Sequence, residues 1–299
     1  MRSNANGSDV GAGNRGMKSG QAIMLCAALG LIGLSGCEQV STLRLDPLTT
    51  DGRDGNAPPV SFSAVLHIAD VASSAGDYGN AISLYRHAAE MEPGNPAPLV
   101  GLGDTLLAAG QADDAILNYN AALKLNPRVG GALRGLAKAY LKTGRPDLAA
   151  NPLAFAYQDT PNDPKLLMLI GVADDFIGQH RDAQSRYLQG LKLAPGDRAL
   201  TLNMALSLAL SERFNEAIGY LQPLVHTPGA TARERQTLAL IYGLKGDQKA
   251  ARQLALVDLA PAAADHNLAF YESLRRLSAD ARSRAILSAS AAQRLTPPS

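Results

Sequence analysis

Apolar residues recur along most of the chain at the spacing of an α-helix, in short segments separated by glycine or proline. Between Gly110 and Pro127, for example, Ala115, Ile116 and Tyr119 lie on one predicted helical face. Gly110 favours the end of the preceding helix, because glycine adopts the left-handed C-cap conformation without strain. Pro127 cannot continue a helix. The segment therefore predicts a turn, a helix and a helix stop.

This pattern repeats at a fixed interval of 34 residues. The helix-ending prolines are Pro93, Pro127, Pro161 and Pro195, and the turn glycines are Gly76, Gly110, Gly144, Gly178 and Gly246. A constant period of this length is typical of stacked repeats. The sequence predicts an array over residues 62–265, with six units that start at 62, 96, 130, 164, 198 and 232.

Each unit also keeps small residues where two helices must cross closely. The second helix begins with an alanine in every unit, at Ala81, Ala115, Ala149, Ala183, Ala217 and Ala251. The first helix has a small residue at Ala69, Gly103, Ala137, Gly171, Ala205 and Ala239. Together these positions resemble the tetratricopeptide repeat. The resemblance implies an all-α fold, a right-handed α-solenoid of six helix-turn-helix repeats.

Some positions depart from this pattern. Glu212 replaces the turn glycine of the fifth unit, and Arg235 and Asp258 introduce charge into the sixth. We interpret the polar residues of the sixth unit as an outer face that meets water. Asp174 takes a position held by tyrosine or leucine elsewhere, and we expect it to turn to solvent or bond a neighbouring helix end.

Residues 266–291 do not continue the repeat and are predicted to form capping helices. Leu268, Tyr271, Leu274 and Leu277 are spaced three apart, and a second short helix is predicted from Ala279 to Ala289. A cap over the apolar face of the last repeat is the favoured interpretation; the alternative is a detachable segment for partner contact. Residues 292–299 are predicted to be a disordered tail.

The N-terminus has the pattern of a secretory signal over residues 1–36, with positive charges followed by a short apolar run. The run ends in Leu34-Ser35-Gly36-Cys37, which resembles the bacterial lipobox and implies lipidation of Cys37 with cleavage just before it. Glu38 follows where inner-membrane lipoproteins often carry Asp, so the resemblance implies the periplasmic face of the outer membrane. Residues 37–61 are predicted to be a lipidated, flexible linker. An uncleaved anchor is the alternative, and either Met1 or Met17 could be the start.

The composition and residue spacing give few candidates for a catalytic or metal-binding site. The formal net charge is +1, both cysteines lie near the N-terminus, and no two of the five histidines have the spacing of a helical metal pair. Asp113-Asp114 and Asp174-Asp175 are interpreted as turn or solvated carboxylates, since adjacent helical residues point about 100° apart. We predict a protein that is not an enzyme and has no cofactor, metal, nucleic-acid partner or small-molecule substrate.

The predicted binding surface is the concave groove that first helices line in such arrays. Its basic stripe contains Arg134, Lys138, Lys142 and Lys165, and its apolar trough contains Met168, Val172, Phe176, Leu202, Leu206, Leu210, Leu240 and Leu244. This groove suits an extended or helical peptide with acidic and apolar side chains. The alternatives are a solvated stripe and a trough filled by the chain's own C-terminal helix; partner binding is favoured.

The closing stretch from His266 to Arg275, HNLAFYESLR, narrows the resemblance further. Together with the lipobox and the uninterrupted array, it resembles the tetratricopeptide lipoprotein of the tight-adherence (Tad/Flp) pilus machine, a type IVb pilus system similar to type II secretion. That resemblance implies partners among the pilus and secretin proteins and a role as a secretin assembly factor. The alternative is a repeat adaptor of outer-membrane protein insertion or exopolysaccharide export.

Overall fold

The computed structural model describes residues 60–294, with side chains through Ser288. The predicted signal peptide, the lipobox with Cys37 and nearly all of the linker lie outside the described residues. Within residues 60–294 the chain forms fourteen α-helices and no strand. An all-α repeat solenoid was predicted from the sequence, and the structure confirms it.

The twelve helices of the array form six antiparallel pairs, each with a first and a second helix. The pairs are α1 (Phe62–Ser74) with α2 (Tyr78–Met91), α3 (Ala97–Ala108) with α4 (Ala112–Leu125), α5 (Gly130–Lys142) with α6 (Pro146–Asp159), α7 (Pro164–Phe176) with α8 (His180–Leu193), α9 (Arg198–Leu210) with α10 (Phe214–Val225), and α11 (Ala232–Lys245) with α12 (Gln248–Ala255). Each first helix begins at or within one residue of a predicted unit start.

Two packing positions hold each pair together. The alanine at the second helix has no exposed surface in any unit, from Ala81 to Ala251. In the second unit the ring of Tyr119 lies against Gly103, where an added Cβ would come 2.6 Å from Cε1 of the ring. An added Cβ on Gly135, in the next first helix, would collide with the same ring. Tyr119 therefore fixes how closely two successive units approach.

The contacts between units define an inner face. Each first helix contacts the first helix of the next unit, whereas successive second helices do not contact one another within the described residues. The row of first helices is therefore the shorter, concave side of the array, as tetratricopeptide patterning predicts. Side chains on the free side of α1, α3, α5, α7, α9 and α11 point into this concavity.

The C-terminal segment differs in part from the predicted cap. Helix α13 (Pro261–Arg275) packs on α11 and α12 and covers the last repeat, but it begins before the predicted boundary at residue 266. Helix α14 (Ala279–Arg294) is longer than the predicted helix, which ended at Ala289. It turns back into the concavity, where it contacts α5, α7 and α9 as well as α13.

A glycine substitution tests the contact between units. We expect Gly135→Ala to lower the free energy of unfolding by about 1–3 kcal/mol, because the added methyl group overpacks against Tyr119. Gly219→Ala in α10 is the matched control, since an added Cβ there meets no atom within 4 Å. The control should be neutral or stabilise the fold by up to about 1 kcal/mol, through helix propensity. Thermal melts followed by circular dichroism measure both; equal melts would contradict the packing described.

Candidate partner-binding face

The concave face changes character from one end of the array to the other. The change from charged to apolar side chains is clear at one position of the repeat. In successive first helices this position holds Asp70, Asp104, Lys138, Val172, Leu206 and Leu240. We name the concave side of α1, α3 and α5 the polar half and that of α7, α9 and α11 the apolar half. The polar half is exposed at its charged positions, whereas the apolar half is mostly buried.

Tyrosines of the core hold the carboxylates of the polar half. Tyr119 Oη donates a hydrogen bond of 2.6 Å to Asp104 Oδ1, and Tyr85 Oη donates to Asp70 Oδ1. The side chain of Asp104 is exposed in part, but its carboxylate is partly desolvated against the core, and this desolvation raises its pKa. The Tyr119 hydrogen bond and the charges of Lys138 and Arg134 oppose that rise. Burial and the charge of Asp104 raise the pKa of Tyr119 far above its usual range, so it stays a neutral donor. The packing between units thus positions the concave carboxylates.

The structure divides the predicted basic stripe. Lys142 Nζ donates to the backbone carbonyl of Leu107 at 3.0 Å, and burial followed by the charge of Lys138 lowers the pKa of Lys142. Arg134 lies 3.8 Å from Asp163, the N-cap residue of α7. These two side chains therefore bind neighbouring units. Lys138 and Lys165 are exposed to solvent.

The predicted apolar trough is not open to solvent in the structure. Leu206, Leu210 and Leu244 form a buried cluster with Ile286 and Leu287 of α14, and Phe176, Leu240 and Phe270 pack against it. The sequence favoured an open trough over one filled by the C-terminal helix, and that preference was wrong for the free chain. The reason is hydrophobic: α14 removes this apolar surface from water, at about 25 cal/mol per Å².

The other predicted trough residues belong to the core of the array. Val172 and Leu202 are buried, and Met168 packs against the same cluster. Their neighbours come from adjacent first and second helices, so they contribute to the stacking of units. Whether any predicted groove residue contacts a partner stays a prediction.

A buried polar network was missed by the sequence analysis. Asp175 accepts hydrogen bonds from Tyr187 Oη at 2.8 Å and from Ser207 Oγ at 2.7 Å, and His180 Nδ1 lies 2.8 Å from its Oδ1. Asp175 is 3% exposed, so its interpretation as a turn or solvated carboxylate was wrong. One signal could have found it. Val172 replaces the aspartate that accepts the tyrosine hydrogen bond in earlier units, so Tyr187 needs another acceptor.

Helix α14 makes polar contacts with the same region. Arg282 forms an ion pair with Glu212, in the turn between α9 and α10. Ser283 Oγ lies 3.5 Å from His180 Nε2. These contacts connect α14 to the turns between the two helices of two successive repeats. Glu212 is also the one non-glycine residue with a positive φ, 60°, in the part of the chain that the structure describes.

Two other departures from the repeat have a structural explanation. Arg235 Nε donates to Asp258 Oδ2 at 2.9 Å, and both side chains are largely buried. They are therefore partners of each other, which the interpretation as a water-facing outer surface did not anticipate. Asp174 is half-buried in a cleft with Gln179, Asp182 and Arg186. Burial raises the pKa of Asp174 to about 6. The positive charge of Arg186 opposes this rise, and the negative charge of Asp182 adds to it.

The described residues contain no group of three or more His, Cys, Asp and Glu side chains that could hold a metal ion. No helix between residues 60 and 294 combines the length and the apolar character needed to cross a membrane.

Comparison with known proteins agrees with this geometry. Two tetratricopeptide-repeat family models match residues 72–117 and 100–164. A tetratricopeptide repeat protein from Parabacteroides merdae is similar in structure, with a TM-score of 0.60 and 14% identity over 72% of this chain and 86% of that one. A chain of the Cut9–Hcn1 hetero-tetramer of the APC/C has a TM-score of 0.62 and 19% identity over 71% of this chain and 43% of the other.

PilF from Pseudomonas aeruginosa is also similar, with a TM-score of 0.55 and 19% identity over 65% of this chain and 89% of that one. No curated protein matches the sequence. At these identities the similarities show the fold. Residues 72–164 match tetratricopeptide repeats, and the described residues form the all-α repeat solenoid that such repeats build.

The raised pKa of Asp174 gives a testable pH dependence. An aspartate whose pKa is higher in the folded chain contributes stability below its unfolded pKa, near 4, and loses it as the pH rises through about 6. We therefore expect Asp174→Asn to stabilise the array at pH 8 by about 1 kcal/mol, after allowance for solvent screening of a half-exposed group.

Thermal melts of the two proteins at pH 4 and pH 8 check this expectation. The variant should melt about 2–4 °C higher at pH 8 and at the same temperature as the parent chain at pH 4. Asp114→Asn, at an exposed carboxylate in the first turn of α4, is the control and should not raise the melting temperature at pH 8. A gain of equal size at both pH values would mean that ionisation of Asp174 is not its cause.

Proposed function

We propose that this chain is a lipid-anchored scaffold that presents its concave face to partner proteins at the periplasmic side of the bacterial outer membrane. The observation that carries the binding role is the polar half, where Asp70, Asp104, Lys138 and Lys165 are exposed on rigid helices. Helix α14 reaches α5 but leaves Lys138 at the surface. Positioned charges on a preformed face favour specific recognition, because little side-chain order remains to be gained on binding.

The charges of the polar half define the kind of peptide that fits. Lys138 and Lys165 suit acidic side chains, as the sequence pattern predicted. Asp70 and Asp104 each have a carboxylate held by a tyrosine hydroxyl, and so suit an amide or a cationic side chain. An extended peptide with acidic and donor groups would therefore match this half better than a purely acidic one.

The lipid anchor is supported by the lipobox at Leu34 to Cys37, which follows an apolar run and precedes a polar linker. The linker would let the array stand away from the membrane surface. The pilus role is supported by the stretch from His266 to Arg275, which lies in α13, together with the array that precedes it. We propose a function in Tad/Flp pilus biogenesis, as an assembly factor for the secretin.

A repeat adaptor of outer-membrane protein insertion or exopolysaccharide export is the second candidate, since lipobox-and-repeat chains serve several envelope systems. The genes beside this one separate the two. A secretin and a secretion ATPase there would favour the pilus function, whereas polysaccharide synthases would rule it out.

A charge reversal on the polar half tests the binding function. We expect Lys138→Glu to reduce recovery of the secretin or a pilus protein in an envelope pull-down by at least tenfold, because it places like charges opposite an acidic peptide. Lys124→Glu, at an exposed lysine of the second helix α4, is the matched control and should recover partners normally. Both variants should keep the helical circular dichroism signal. Undiminished recovery with Lys138→Glu would remove the polar half as the site.

Membrane anchoring has its own test. We expect Cys37→Ser to leave the protein as an unprocessed precursor or in the soluble periplasmic fraction, because a hydroxyl cannot accept the thioether-linked lipid. Fractionation and labelling with a palmitate analogue measure this outcome. Cys26→Ser, in the predicted signal, is the control and should still be labelled. Outer-membrane fractionation that does not change in Cys37→Ser would contradict lipidation.

A further inference from the structure

Helix α14 occupies the apolar half in the manner of a bound amphipathic peptide. One side of the helix is buried, and its residues there are Arg282, Ser283, Ile286 and Leu287. The opposite side is exposed at Asp280, Arg284 and Ser288. The two aliphatic side chains enter the cluster of Leu206, Leu210 and Leu244. A helix that lays its apolar side into a groove is a common mode of peptide recognition.

Glu212 shows that the groove has a charge matched to this helix. Each of the five other first helices is followed by a glycine with positive φ, at Gly76, Gly110, Gly144, Gly178 and Gly246. Glu212 adopts the same left-handed conformation, which a residue with a Cβ disfavours. The turn itself does not require a glutamate, since glycine forms it elsewhere. Its ion pair with the largely buried Arg282 gives the glutamate a role: recognition of a cation on the helix that occupies the groove.

The rest of the array does not depend on α14. Helix α13 itself packs on α11 and α12, although Leu244 of α11 also joins the cluster that α14 enters. The short segment from Arg276 to Ser278 joins α13 to α14. Departure of α14 would therefore leave the end of the array capped. It would expose Leu206, Leu210 and Leu244 to water, so the open state is favoured only when another apolar surface takes the place of α14.

We propose that the apolar half is a binding site for an amphipathic helix of a partner protein, and that α14 occupies this site in the free chain. The partner helix would carry an arginine for Glu212 and two adjacent aliphatic residues four and five positions further on. This proposal extends the proposed scaffold function and rests on it. The polar half then contacts an extended segment of the partner, and the apolar half takes its helix in exchange for α14.

Competition with a peptide tests the site. The probe is a fluorescein-labelled peptide of residues 277–294, titrated with the full-length chain and with the full-length variant Ile286→Glu/Leu287→Glu. We expect the variant to bind the peptide at least tenfold more tightly than the parent chain, because its own α14 no longer competes. A peptide with Arg282→Glu should bind the variant at least tenfold more weakly. Equal affinity for the two proteins, or no binding to the variant, would overturn the proposal.

A second variant keeps the test valid if that double substitution disturbs folding. Glu212→Gly restores the turn residue of the other units and removes the partner of Arg282. We expect its amide hydrogens in α14 to exchange at least tenfold faster, with no loss of melting temperature. Glu216→Ala, which breaks an exposed ion pair with Arg213, is the control and should leave α14 exchange unchanged. Unchanged exchange in Glu212→Gly would also overturn the proposal.

The nature of the occupant is tested by mass. Light scattering should show that the double variant with peptide is a monomer with one peptide bound. If the parent chain is a dimer and the peptide dissociates it, the apolar half binds the α14 of a second copy. That result would overturn the proposal that a partner's helix binds there. The peptide measurements do not involve Lys138. Failure of this proposal is therefore distinguishable from failure of the proposed function, which the Lys138→Glu pull-down tests.

Discussion

The contact between a tyrosine ring and the glycines of two successive first helices is the constraint on which the structure depends. Tyr119 leaves no room for a side chain at Gly103 or Gly135, and its hydroxyl holds Asp104 on the concave face. A single residue thus sets the distance between units and positions a charge in the candidate binding surface. Core packing and recognition are coupled, so a change to the core at this point would also alter the concave face.

Most of the fold could be predicted because it depends on local and periodic signals. Glycine and proline mark the ends of helices, and the alanines from Ala81 to Ala251 mark each crossing. The position of α14 could not be predicted, because any amphipathic helix fits an apolar surface and the sequence does not say which one. The exposed Lys138 followed from the repeat pattern. The hydrogen bond from Lys142 to the Leu107 carbonyl could not be predicted, because a contact between a side chain and a backbone carbonyl does not appear in the periodic pattern of residues.

Departures from the repeat were the least predictable positions and carry much of the information. Asp175 compensates for the loss of an acceptor at Val172, and Arg235 compensates for Asp258. Each makes sense only as a pair, and the members of a pair lie in different helices or at different positions of the repeat. When each polar residue is considered without its partner, the sequence pattern predicts that it is exposed to solvent. Buried polar groups need partners, and this requirement explains them.

The two ends of the row of first helices are chemically different. At the C-terminal end, α13 covers the last repeat and the chain then returns into the concavity. At the N-terminal end, no earlier unit within the described residues covers α1, and Ile68 and Val71 are exposed there by 43% and 55%. The scaffold therefore has a direction. Its apolar N-terminal edge lies where the described residues begin, so a contact made at that edge would fix the orientation of the concave face relative to the surface that makes the contact.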